Sequence, residues 1–306
     1  MKDVCFVPTF EREEFLFVTL ERIREIEPNI ELHCYPDRGT DVSEICEKFQ
    51  AIHHATIPHS THGNSYNVLE AFKDLYQSNS RYDRFFIVED DAVLDNTFFK
   101  WCREALDHDP EMFAACGFMY SPDALISDGP DLKIPWYLSV AACLPRKSVF
   151  SIIQHARPEY YRDMQKYLDR AYPASNRRGS MHWEQDGLTL RVMESESKRC
   201  IWPRRPRVTH CGWRGYHMAQ DRAEGTLEER VAILKLALKQ PTLLTKLMSG
   251  GKVPDLAKCE GCGKPLVSSD KISRIVCVEC FHAIRLDWPQ TSTSHYYLKP
   301  ASVVSG

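Results

Sequence analysis

An apolar run of four residues, Phe85-Phe86-Ile87-Val88, passes directly into three consecutive acids, Glu89, Asp90 and Asp91. The run reads as a buried strand, and carboxylates gathered at a strand end repel one another unless a cation sits among them. The preceding sequence sets this strand in a repeating frame. Residues 4–10 read as a strand, and 12–27 carry Phe15, Val18, Leu20, Ile23 and Ile26 at helical spacing. Segments 30–36 and 51–58 read as strands ending at Pro36 and Pro58, and 64–78 as a second helix. Strand–helix–strand repetition with short connections predicts a parallel α/β sheet that carries its ligand at the strand C-terminal ends. Glu89 to Asp91 lie at such an end, as do Thr9, Asp37 and His59.

The rhythm then changes. Residues 113–121 and 138–145 read as strands, a polar helical stretch is expected over 157–172, and a further helix over 183–193. Thr226 followed by Glu229 forms a capping-box pattern at the start of another helix, which Pro241 interrupts. These patterns divide the chain into a main domain over 1–217, a helical connector over 218–251, a small module over 252–288 and a tail over 289–306.

Composition excludes little. At 306 residues with a net charge of −3, the chain has the make-up of an ordinary globular protein and no whole-chain bias toward a polyanionic partner. No apolar run approaches the length of a membrane span. The first residues enter a strand pattern without the basic region and apolar core of a signal peptide, so a cytoplasmic location is expected, away from any membrane. Eight of the twelve cysteines are scattered through the first 211 residues in apolar contexts and read as buried free thiols.

A strand, an acid triplet and a following helical segment are what a divalent metal–diphosphate site needs. One or two carboxylates hold Mg2+ or Mn2+, and phosphate oxygens complete the shell. In that setting the metal stabilises a leaving diphosphate. An exposed turn before a helix is the plainer explanation of three acids in a row.

The order of motifs resembles the GT-A glycosyltransferases, which move sugars from nucleoside diphosphates. Their first strand ends in Pro-Thr-x-x-Arg, matched by Pro8, Thr9 and Arg12; their second ends in an acid near the nucleoside, matched by Asp37. A Gly/Asn-rich loop before the next helix is matched by Gly63, Asn64 and Asn67, and the DxD element by Glu89-Asp90-Asp91, with Glu in place of the first Asp. The resemblance implies that Asp91 holds the metal while Glu89 and Asp90 place the ribose and metal waters. It further implies an acceptor-activating carboxylate in the segment 182–192, where Asp186 is favoured as base and Glu184 is its substitute. These two acids point about 200° apart on a regular helix, so only one can face a given site. A third metal ligand is implied at His210, favoured over His217.

Cys259, Cys262, Cys277 and Cys280 form two C-x2-C pairs, the spacing of a tetrahedral zinc ribbon, with Gly261 and Gly263 suited to the tight turn. A module this small needs such a staple, which supplies about 10–16 kcal/mol of apparent binding energy. Its six cations face five acids, which gives no electrostatic case for nucleic acid.

In the main domain, by contrast, Arg157, Arg162, Lys166, Arg170, Arg177 and Arg178 precede the basic run Lys198, Arg199, Arg204, Arg205 and Arg207, with Tyr160, Tyr161, Tyr167, Tyr172, Trp183, Trp202 and Trp213 interleaved. Cations interleaved with aromatic faces suit a phosphate backbone and an unstacked base. Trp183, Arg204, Arg205 and Trp213 are therefore the expected acceptor contacts. The organisation is similar to phage-encoded glycosyltransferases that modify hydroxymethylated pyrimidines in DNA, with a UDP-sugar as donor. A glycan, lipopolysaccharide or protein acceptor, and a non-catalytic binding protein, remain open alternatives.

Overall fold

The computed structural model describes residues 2–37, 41–55, 63–118, 130–173, 184–212, 225–249, 257–258 and 265–266. The chain divides into two compact units, Met1–His210 and Cys211–Gly306.

The first unit is built on an eight-stranded sheet. Its strands are β1 (Lys2–Thr9), β2 (Glu31–Pro36), β3 (Ile52–His53), β4 (Tyr82–Val88), β6 (Ala114–Cys116), β7 (Leu132–Ile134), β8 (Ala141–Pro145) and β9 (Cys200–Trp202), in the order β3-β2-β1-β4-β8-β6-β9-β7. The expected parallel arrangement holds for β3, β2, β1 and β4. Beyond β4 it fails: β8 runs antiparallel to both β4 and β6, and β7 antiparallel to β9, so the sheet is mixed. A separate ladder pairs β5 (Ala92–Leu94) with β10 (Val208–His210).

Helices cover both faces. α3 (Gly63–Ser78) and α5 (Arg146–Ile153) pack on one side, and α4 (Phe98–His108) on the other. That explains why Phe85 to Val88 are apolar without alternation. Phe85 and Ile87 belong to the core shared with Phe6, Phe72 and Leu144, while Phe86 meets Phe98 and Phe99. Burying one such Phe contributes about 1.5–3 kcal/mol. α1 (Glu13–Ile26) starts with Glu13 and Glu14 at its positive end and buries Phe15, Leu16, Leu20 and Ile23. A short α2 (Ser43–Lys48) follows β2.

The polar stretch after α5 is two helices, α6 (Pro158–Arg162) and α7 (Met164–Ala171). Asp163 breaks it because its carboxylate accepts from the Lys166 amide and caps the second helix. α8 (Gln185–Ser195) ends the helices of this unit. All eight scattered cysteines are free and buried. No described helix is long and apolar enough to cross a membrane.

In the second unit, α9 (Leu227–Lys239) carries the capping box: the Thr226 hydroxyl accepts from the Glu229 amide, and Glu229 accepts from the Thr226 amide. α10 (Pro241–Met248) follows the proline break. β11 (Ala257–Lys258) and β12 (Pro265–Leu266) form an antiparallel pair flanking Cys259 and Cys262. Those two cysteines, Cys277 and Cys280 lie outside the described residues, as do His59, Trp183, Trp213 and His217.

Candidate active site

The C-terminal ends of β1, β2 and β4 meet at one edge of the sheet. Asp37 donates its amide to the Thr9 carbonyl at 2.8 Å, which fixes the end of β2 to that of β1. The Thr9 hydroxyl then donates to Asp90 at 2.8 Å, and the Phe10 amide to the same carboxylate oxygen at 3.3 Å. From α1, the Thr19 hydroxyl donates to the Asp90 carbonyl at 2.7 Å. Asp90 is fully buried and clasped from three sides, so it anchors the strand end.

The cation among the acids is Arg12. It pairs with both Asp90 and Asp91 from the start of α1. Just before it the chain turns through Glu11 at a φ of 49°, which non-glycine residues seldom adopt. His210 also reaches Asp91, from β10, with Nε2 3.2 Å from the carboxylate oxygen that Arg12 contacts. The β5–β10 ladder causes this, since His210 stands opposite Ala92, the residue after Asp91.

Gly117 sets the ladder's position. Its carbonyl accepts from the Arg207 amide at 2.9 Å, one residue before β10. A Cβ here would lie 2.6 Å from a Phe98 ring carbon and 2.9 Å from a Val208 methyl.

Glu89, Asp91 and His210 each offer one ligand atom, and these atoms lie within 4.8 Å of one another. Two carboxylates and an imidazole fit Mn2+ or Mg2+, with open positions for phosphate oxygens. Sequence reasoning set Glu89 with Asp90 to place the ribose and metal waters; the structure brings the Glu89 carboxylate beside Asp91 and His210.

The electrostatics follow. Burial alone would raise Asp91, but Arg12 and His210 outweigh it and hold this carboxyl well below the usual range. Burial and the Asp91 charge push Glu89 up. Burial works against charge on His210 too, yet its bond to Asp91 and the nearby Glu89 raise it above the ordinary value.

Asp186 lies on the first turn of α8, and Glu184 is the residue preceding that helix. Ser139 links Asp186 to the cluster: its amide donates to Asp186 at 3.2 Å and its hydroxyl to Glu89 at 2.7 Å. Burial, then the Glu89 charge, lift Asp186 to about 7 against the pull of Ser139. A carboxylate near neutrality is suited to taking a proton from a hydroxyl. Gln185 is held by Ser65, whose hydroxyl donates to its side chain at 3.0 Å and accepts from its amide at 3.2 Å.

Other expected residues are spread around this edge. Pro8 is buried in β1; Asn67 donates to the Tyr35 carbonyl at 2.6 Å; Gly63 opens α3 with a φ of 46°, next to an exposed Asn64. Arg204 donates to the Pro130 carbonyl at 2.9 Å, and Arg205 is exposed on the bend between β9 and β10. Ser139, Ser65 and Gly117 were missed. Only Gly117 had a signal, a glycine closing an apolar strand.

No protein-family model and no curated protein matches this sequence. Among solved structures, a mannosyltransferase from Pyrobaculum calidifontis in complex with GDP-Man and Mn2+ is 13% identical, with a TM-score of 0.45 over 81% of this chain and 73% of that one. A cytidylyltransferase from Leptospira borgpetersenii is 9% identical, with a TM-score of 0.41 over 82% and 93%. Glucosyl-3-phosphoglycerate synthase from Mycobacterium tuberculosis in complex with Mn2+, UDP and phosphoglyceric acid is 11% identical, with a TM-score of 0.35 over 48% and 56%.

Proposed function

We propose that this chain is a metal-dependent glycosyltransferase that moves a sugar from a nucleoside diphosphate to a hydroxyl. The convergence of Glu89, Asp91 and His210 beside Asp186 carries the reading. Those three residues would hold Mn2+ or Mg2+, which when bound supplies Lewis-acid stabilisation of a diphosphate leaving group. Asp186 takes the acceptor proton, and its elevated affinity for that proton matches the task at neutral pH. Ser139 keeps Asp186 and Glu89 at a fixed separation. Arg12 supplies positive charge at the same edge, where a diphosphate is to be bound.

The donor of choice is a UDP-sugar and the acceptor a hydroxymethylated pyrimidine in DNA, on the basic and aromatic content of the segment around 198–213. Cys259, Cys262, Cys277 and Cys280 are assigned to one structural Zn2+, supported by their spacing and by the β11–β12 pair flanking the first two. The test incubates the protein with Mn2+, a panel of UDP-sugars, and either hydroxymethylated DNA or free glycans, and reads mass added to each acceptor. Transfer lost on Asp91→Asn in a folded protein supports the reading. Full activity in EDTA, or no transfer from any donor, overturns it.

A further inference from the structure

Away from the carboxylate edge, a cleft of about 480 Å³ opens between α3 and the start of α6. Its walls include Tyr66, Glu70 and Lys73 from α3, and Arg157, Tyr161 and Arg162 from the α6 side. Three cations thus face a single acid. That acid is already engaged, because Glu70 accepts the Tyr161 hydroxyl at 2.8 Å and lies 3.3 Å from the Lys73 ammonium. Arg157 and Arg162 are exposed, and neither has a carboxylate partner among the described residues. The Arg157 Nε–H donates to the Gln154 carbonyl at 2.8 Å and its Nη2 donates to the same oxygen, which orients the guanidinium without neutralising it and turns its Nη1 edge outward. The Tyr66 and Tyr161 rings stand 4.6 Å apart at 55°, forming an aromatic wall beside the charges.

This cleft is tied mechanically to the candidate base. Ser65, the residue before Tyr66, holds Gln185, the residue before Asp186.

We propose that this cleft is the acceptor's anion subsite, taking a phosphate that sits beside a planar ring. Guanidinium N–H groups make charge-assisted bonds to phosphate oxygens, and the half-buried Tyr66 ring can receive a planar ring at low entropic cost. The proposal rests on the glycosyltransferase reading for the word acceptor, and among the cations expected on the acceptor side it singles out Arg157 and Arg162, which line this cleft. The same chemistry is offered by a small phosphate monoester and by the backbone of a nucleic-acid strand.

Calorimetric titration of the whole chain in EDTA with phenyl phosphate and with hexathymidylate, each against inorganic phosphate and phenol, tests it. Phenyl phosphate is expected to bind more tightly than either fragment. Replacing Arg157→Ala and Arg162→Ala together should weaken it at least tenfold, since both guanidinium contacts to the phosphate are lost. Tighter binding of hexathymidylate identifies a strand as the source, and equal or weaker binding a small monoester. Binding that is absent, or unchanged in the double variant, overturns the proposal. UDP binding with Mn2+ and slow hydrolysis of the donor are read in parallel and should not change in the variant. If they occur without a functioning cleft, the proposal alone falls. If the cleft binds while no nucleoside diphosphate sugar is bound or hydrolysed, the glycosyltransferase reading falls and the anion site stands.

Discussion

Ser139 meets Asp186 through its backbone, the amide donating to the carboxylate at 3.2 Å, while its hydroxyl serves Glu89. The link holds two acids side by side in a partly buried place, and the cost falls on Asp186, lifted to about 7. An acid raised in the fold favours folding while it is protonated. Its contribution is therefore complete below about pH 4 and is lost as pH rises through about 7.

Asp186→Asn should consequently be more stable than the natural chain at pH 8 and equal to it at pH 4. The amide oxygen still accepts from Ser139. After allowance for solvent at its exposed side the gain is about 1–2 kcal/mol. Urea denaturation at the two pH values checks it. A variant less stable at pH 8 contradicts the buried-charge account.

A second titrating pair lies under α3. His33 Nδ1 and His54 Nε2 are 2.8 Å apart, and His54 stacks on Tyr35 with centroids at 3.9 Å. Burial, then the His33 charge, push His54 down to about 4, and burial also lowers His33. Both are neutral in the fold at pH 7. Stability from His54 is present above about pH 6.5 and is lost as pH falls through 4. His54→Phe keeps the ring contact, so it should flatten the loss of stability between pH 6.5 and 4.5 by about 1–2 kcal/mol. It should cost about 1 kcal/mol at pH 7 for the bond removed. Denaturation midpoints at both pH values decide it.

Gly117→Ala brings a methyl group against the Phe98 ring and Val208. Overpacking of this kind costs about 1–3 kcal/mol. The displaced element is β10, which carries His210, so Mn2+ affinity should fall along with the melting temperature. Loss of stability with unchanged Mn2+ affinity would separate β10 from the metal site.

How much of this was legible in the sequence varies with the range of the interaction. The buried run at Phe85, the capping box at Thr226 and the apolar cysteines are local patterns, and each is found in the structure. The grouping of Asp91 with His210 was reached only through a resemblance, since no local rule pairs β5 with β10. The mixed sheet was misread because an antiparallel β8 carries the same apolar signature as a parallel strand buried on both faces. Ser139 was invisible for a related reason. Its role depends on the β4–β8 register, Val88 opposite Ala141, which brings it beside Glu89.

Arg12 offers the sharpest test of what the acids are for. It pairs with Asp90 and Asp91, both buried, and supplies the positive charge without which those carboxylates would face one another uncompensated. Removing one partner of a buried pair costs about 3–5 kcal/mol. Arg12→Ala should therefore unfold at a markedly lower temperature in EDTA. A divalent ion on Glu89, Asp91 and His210 would restore part of the missing charge, and a ligand bound only to the folded state stabilises it by RT ln(1 + [L]/Kd). Mn2+ should then raise the melting temperature of Arg12→Ala by more than it raises that of the natural chain. Ca2+ and Mg2+ titrations run alongside would rank the site's preference. An equal Mn2+ shift in both proteins would mean that Arg12 and the ion do not share Asp91, and the metal would have to be sought elsewhere in the chain.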